Sequence, residues 1–186
     1  MKILIADDDA VPRRMLQATL ERWDYEVVEA RDGEEAWQVL QGEDAPKLAI
    51  LDWLMPGLDG LELCRRIRAL ADAPYRYLIL LTGRDSKADV VEGMEAGADD
   101  YLTKPFHRHG LQVRLRAGWR ILDLRECLSR LSLSAALSGR PALGDGGRRN
   151  AHREDPPRHR VQTGRREPVC GPGRVLPPAL RPLPQL

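Results

Sequence analysis

Apolar and polar positions alternate along the chain with two different periods. Short apolar runs stand at KILIA (2–6), YEVVEA (25–30), LAILD (48–52), YLILLT (77–82) and ADDYLT (98–103). Between them, apolar residues recur every three or four positions, the period of one helix face. Residues 11–23 form the first such segment, with Asp9 placed to cap it and Pro12 tolerated in its first turn. Residues 33–40 follow, with Ala36, Trp37 and Leu40 at helical spacing. Residues 58–70 put Leu61, Cys64, Ile67 and Leu70 on one face. Residues 86–96 read as a fourth helix, and from Phe106 onward the pattern is helical again.

Five strands alternating with five helices predict an α/β fold. It is a doubly wound, five-stranded parallel sheet with helices on both faces. Runs such as ILIA and LILL are apolar throughout, as strands buried on both faces must be. The connections are short enough for right-handed crossovers. In open sheets of this kind, ligands bind beyond the carboxyl ends of the strands. That rim collects the chemistry of the chain. Asp7, Asp8 and Asp9 follow the first strand, Asp52 ends the third, Thr82 ends the fourth, and Lys104-Pro105 follows the fifth.

Carboxylates crowded on one rim suit a hard cation with oxygen ligands. Mg²⁺ takes one or two carboxylates together with waters and phosphate oxygens. An aspartate beside it can attack a phosphoryl group, and an ammonium and a hydroxyl can balance the charge that arrives. Asp9 is read as the helix cap rather than a ligand.

The stretches ILIADDD, LAILDWLMPGLDG, LILLTGRDS and GADDYLTKPF, in this order and spacing, resemble a CheY-like response-regulator receiver domain. Such domains are the phospho-acceptors of bacterial two-component signalling. The resemblance covers residues 1–122 and is to receivers that precede GGDEF diguanylate cyclase domains. It implies a flavodoxin-like strand order, 2-1-3-4-5. It implies that Asp52 accepts a phosphoryl group from a histidine kinase or phosphotransfer protein. Asp7, Asp8, Asp52 and the Leu54 backbone carbonyl would hold Mg²⁺. Thr82 and Lys104 would contact the phosphoryl group, Thr82 and Tyr101 would form the switch, and the bond before Pro105 would be cis. The domain would perform self-phosphorylation and self-dephosphorylation only.

Two departures stand out. The fifth helix of such domains opens with a reciprocal cap, which PFHRHGL lacks: His107 stands at the cap and Gly110 where a glutamate is expected. A frayed start to that helix is predicted. The end of the chain also changes character. Residues 1–122 hold 17 Lys/Arg against 22 Asp/Glu, and residues 123–186 hold 12 against 6. Residues 123–138 continue the fifth helix as an exit helix, where Ile121, Leu124, Leu128, Leu131 and Ala135 keep a 3-4 spacing. This helix either runs toward an effector or lies against its own domain. Residues 139–186 contain 9 Pro and 7 Gly but no Phe, Trp or Tyr, and all ten basic residues there are Arg. Such a tail cannot bury enough apolar surface to offset ordering entropy, so disorder is expected. GRRNAHREDPPRHR is either a solvated tail or a basic patch for an acidic partner. A truncated or frameshifted remnant of a diguanylate cyclase regulator is one reading of the tail. A phosphate-independent interaction module is another reading of the whole.

The remaining composition narrows the field. No run reaches the roughly 18 apolar residues of a membrane span, and charge interrupts the N-terminus by Asp7, so a cytoplasmic protein is expected. Cys64, Cys127 and Cys170 show no metal-ligand spacing and read as reduced thiols. His107 and His109 lack the partners of a zinc set. No DNA-reading pattern occurs. Lys87, Asp89, Glu92, Asp99 and Asp100, with Arg114 and Arg116, mark the face of the fourth helix, fifth strand and fifth helix. That face is either solvated or the seat of a phosphorylation-dependent homodimer with crossed ion pairs.

Overall fold

A computed structural model describes residues 1–71, 73–83 and 87–138. The readings for Ser86, Cys170 and the tail at 139–186 lie outside the described residues. The elements run β1 (Lys2–Ala6), α1 (Ala10–Glu21), β2 (Glu26–Ala30), α2 (Gly33–Gln41), β3 (Leu48–Asp52), α3 (Gly60–Ala69), β4 (Tyr77–Thr82), α4 (Lys87–Glu95), β5 (Asp100–Thr103) and α5 (Arg108–Ser138). All strand pairs are parallel, in the order β2-β1-β3-β4-β5. The fold class is the one the sequence predicts, and the strand order is the one the resemblance implies.

Burial on both faces explains why the central strands are apolar throughout. Successive side chains point to opposite faces. Leu4, Ala6, Ala49, Leu51, Leu78 and Leu80 pack into one core with residues of α2 and α3. Ile3, Ile5, Leu48, Ile50, Ile79 and Leu81 pack into the other with Leu16 and Leu20 of α1 and Leu111, Leu115, Trp119 and Leu122 of α5.

Several boundaries differ from the sequence reading. Helix α1 stops before Trp23, because the Leu20 carbonyl accepts from the Trp23 and Tyr25 amides as the chain turns back through Asp24, at φ 59°. Helix α3 starts at Gly60 rather than Leu58, capped by Asp59, whose Oδ1 accepts from the Glu62 amide at 2.7 Å. Strand β5 is shorter than 98–103. Helix α5 starts at Arg108 rather than Phe106. Its first intrahelical bond runs from the Leu111 amide to the His107 carbonyl, and no side chain among the described residues caps its first turn.

Residues 123–138 are continuous with α5. The near part of this extension lies against its own domain. Trp119 stacks on Tyr25 at 6.2 Å, Arg125 lies 3.7 Å over the Tyr75 ring, and Glu126 pairs with Lys47 at 3.4 Å. Past these anchors Leu128 and Leu131 are each 61% exposed. Tyr75 is itself held by Asp99, which also accepts from Arg68 and the Leu78 amide. No described helix is long and apolar enough to cross a membrane.

Two glycines act in opposite ways. A Cβ at Gly60 would fall 2.3 Å from the Asp52 carbonyl oxygen, so only glycine lets α3 begin against the end of β3. A Cβ at Gly110 meets nothing closer than a Leu102 methyl at 3.7 Å. Gly60→Ala is therefore expected to cost about 1–3 kcal/mol by overpacking, read by chemical denaturation. Gly110→Glu restores a capping partner and a better helix former, and is expected to raise the melting temperature by roughly 4 °C. An unchanged melting temperature would show that the start of α5 is not a weak point.

Candidate functional site

The carboxyl ends of β1 and β3 bring three carboxylates together. One oxygen each from Asp7, Asp8 and Asp52 lies within 4.8 Å of the others. Asp7 is fully buried, Asp52 is 8% exposed, and Asp8 faces solvent. The turn after β1 explains the spacing. Asp9 caps α1, its Oδ1 accepting from the Val11 amide at 2.9 Å, as the sequence predicts. Asp7 Oδ1 accepts from the Asp9 amide at 3.0 Å, which curls the turn around the Asp7 side chain.

Lys104 bridges the two buried carboxylates. Its Nζ lies 2.8 Å from Asp7 Oδ2 and 2.9 Å from Asp52 Oδ1. The Lys104 amide donates to the Thr82 carbonyl at 2.7 Å, and the Lys104–Pro105 peptide is cis. The bond to the Thr82 carbonyl aims the lysine from beyond β5 across β4 to the ends of β1 and β3. The Trp53 amide also donates to Asp52 Oδ1, at 3.0 Å. Both described bonds to this carboxylate thus fall on Oδ1.

Electrostatics follow from this packing. Burial pushes the Asp52 carboxyl above its ordinary value of 3.8. The hydrogen bond and charge of Lys104 oppose the rise, the charge of Asp7 adds to it, and the Trp53 amide opposes it. Lys104 moves up from 10.5: burial lowers it, but the hydrogen bonds and charges of Asp7 and Asp52 outweigh burial. Away from the rim, burial pushes the Cys64 thiol up to about 12, which suits an inert core residue.

The other residues singled out in the sequence stand around this centre. Thr82, 2% exposed, ends β4 beside the Asp52 strand end, since Asp52 pairs with Leu81. Leu54 is 59% exposed in the loop after β3, and no hydrogen bond among the described residues engages its carbonyl. Tyr101 lies outside the charged cluster. It pairs across the sheet with Leu80, two residues before Thr82, and packs half-buried against the core beneath α2, α3 and α4. Asp99 accepts from Arg68, Tyr75 and the Leu78 amide. Asp100 pairs with Arg114 within the chain at 3.2 Å.

Two further residues shape the rim, and sequence reasoning missed the second of them, Arg13. Trp53 is buried, with its ring 3.3 Å from the position of a Cβ at Gly93, so the residue after Asp52 wedges beneath α4. Arg13 donates to the Asp7 carbonyl at 2.6 Å. No pattern distinguishes Arg13 from Arg14, because the choice depends on which helix face meets β2.

A family model described as the response regulator receiver domain matches residues 3–116. Among curated relatives, the transcriptional regulatory protein AfsQ1 of Streptomyces coelicolor is 45% identical over 115 residues, covering 62% of this chain and 49% of the relative. The transcriptional regulatory protein ResD of Bacillus subtilis is 44% identical over 117 residues, covering 62% and 47%. The chain thus spans about half the length of the curated relatives it matches. Among solved structures, a putative response regulator from Chloroflexus aurantiacus is 38% identical with a TM-score of 0.60, covering 66% of this chain and 97% of that one. A probable two-component system response regulator/GGDEF domain protein is 28% identical with a TM-score of 0.62, covering 66% and 50%. A matched segment running from β1 into α5, with the paired carboxylates, strand-end threonine and bridging lysine inside it, makes this chain a member of the response regulator receiver domain family.

Proposed function

We propose that the chain accepts a phosphoryl group on Asp52 from the phosphohistidine of a sensor kinase or phosphotransfer protein, in a Mg²⁺-dependent reaction. The observation that carries this reading is Lys104 seated between Asp7 and Asp52 at 2.8 and 2.9 Å. Asp7, Asp8 and Asp52 bring three carboxylate oxygens within 4.8 Å, and with the Leu54 carbonyl that the resemblance adds they would make an all-oxygen donor set that fits a hard divalent cation. When bound, Mg²⁺ supplies positive charge beside the incoming phosphoryl oxygens.

The chain's own residues do the rest. Asp52 Oδ2 attacks phosphorus, the N–P bond of the donor breaks, and the imidazole leaves with the electron pair. The Trp53 amide and Lys104 hold Oδ1 and so orient the attack. Lys104 balances charge on the transferred group, and the Thr82 hydroxyl donates to it. Movement of Thr82 toward the phosphoryl group opens space for Tyr101 to turn, and the α4–β5–α5 surface changes shape. An apolar groove of about 600 Å³, lined in part by Pro12, Met15, Pro105 and Phe106, reaches Lys104 and gives the donor a place to dock.

The same surface is the seat of a homodimer in this reading. Asp99, Asp100 and Arg114 all have intrachain partners, so the contact rests first on exposed Val91 and Met94 of α4 and Val113 of α5. The proposed setting is the cytoplasm, where the kinase's phosphohistidine is met.

Two measurements test the site. Intact mass after incubation with acetyl phosphate and Mg²⁺ is expected to rise by one phosphoryl group. The gain should vanish in Asp52→Asn and with chelator; no gain in folded native protein sinks the proposal. The second test is pH. Mg²⁺ binding needs ionised Asp52, whose carboxyl is raised. Affinity is therefore full above the raised value and falls as pH drops through it, by up to about tenfold per pH unit for one competing proton. The fall should begin at a higher pH than an ordinary carboxylate allows. A Mg²⁺ titration by tryptophan fluorescence between pH 4 and 8 (roughly, spanning the carboxylate range) would reveal it. A flat profile there contradicts the role of Asp52.

A further inference from the structure

Arg13 belongs to no motif of the acidic rim, yet its side chain is committed to that rim. Its Nη1 donates to the Asp7 carbonyl at 2.6 Å, and its Nε donates to Glu29 Oε2 at 3.3 Å. The Arg13 side chain is 12% exposed, and Glu29 sits on the edge strand β2. The fork therefore joins α1, β2 and the turn that follows β1.

The position of the accepted bond matters. The Asp7 carbonyl belongs to the peptide that joins Asp7 to Asp8. The Asp7 side chain is already held on both oxygens, by the Asp9 amide and by Lys104. Among the described residues, no hydrogen bond holds the Asp8 side chain, which is exposed. The aim of the Asp8 carboxylate therefore depends on the backbone, and the Asp7–Asp8 peptide is the plane that sets it. We infer that Arg13 is a positioning residue for the cation site: it locks this peptide so that the Asp8 carboxylate converges with those of Asp7 and Asp52.

Arg13 affects a cation in two opposite ways. Its fixed positive charge repels the ion, so losing the charge alone tightens binding. Its donation to the carbonyl preorganises the ligands, and losing an outer partner of that kind typically weakens binding 10- to 100-fold. The sign of the change therefore separates positioning from charge. Lysine retains the charge but lacks the planar fork that reaches the carbonyl and Glu29 together.

This inference rests on the reading of the rim as a Mg²⁺ site, and native protein titrated with MgCl₂ by tryptophan fluorescence checks that reading first. Arg13→Met, which keeps an apolar stem, is expected to weaken Mg²⁺ binding about tenfold or more, although a positive charge has been removed. Arg13→Lys is expected to weaken it as well, which serves if Arg13→Met does not fold. Circular dichroism melts run beside both. Native or tighter affinity in a folded variant overturns the inference. A lowered melting temperature with unchanged affinity does the same, since it leaves Arg13 a purely structural role. Native protein that binds no Mg²⁺ overturns the site reading itself, and the inference with it.

Discussion

One ammonium placed between two buried carboxylates organises the functional edge of this protein. Asp7 is fully buried and Asp52 nearly so, and like charges at such depth oppose each other. Lys104 compensates both at hydrogen-bond distance. Removing one member of a buried pair typically costs about 3–5 kcal/mol because the other charge remains unpaired. The strand order lets a single side chain do this. β1 and β3 are neighbours, so their terminal aspartates meet, and the bond from the Lys104 amide to the Thr82 carbonyl directs the lysine back over β4.

That arrangement leaves the site under tension of a useful kind. Burial raises the Asp52 carboxyl while Lys104 restrains the rise, so this carboxylate is less comfortable as an anion than an exposed aspartate. In the proposed reaction, a cation or an incoming phosphoryl group changes that balance locally. The change has short routes outward. Trp53, bonded through its amide to Asp52, packs its ring where α4 passes at Gly93, and Lys104 is tied to Thr82. At the opposite end of the sheet, Asp99, Tyr75 and Arg125 connect β5 to the far part of α5. The long helix is thus fastened to the domain by stacking and ion pairs up to Glu126, and its exposed leucines continue beyond.

Much of this was determined by the sequence alone. Continuous apolar runs with helical segments between them pointed to a parallel sheet covered on both faces, because such a sheet buries ILIA and LILL completely. The acidic rim was legible too, since residues at strand ends in such a sheet share an edge whatever the detailed packing. Asp9 as a cap required only local chemistry, and the structure shows it. Tertiary structure decided what depends on contacts between distant segments. Trp23 falls outside α1 because the turn into β2 takes over the Leu20 carbonyl, which helical periodicity does not register. Asp99, read as an exposed charge, turned inward because Arg68 of α3 and, from around the start of β4, Tyr75 and the Leu78 amide converge on it. Gly60 is required by a carbonyl eight residues earlier, and Arg13 is distinguished from Arg14 only by the face that meets Glu29 and Asp7. Periodicity reports which side of an element is buried; which partner waits there is set by the packing of the whole.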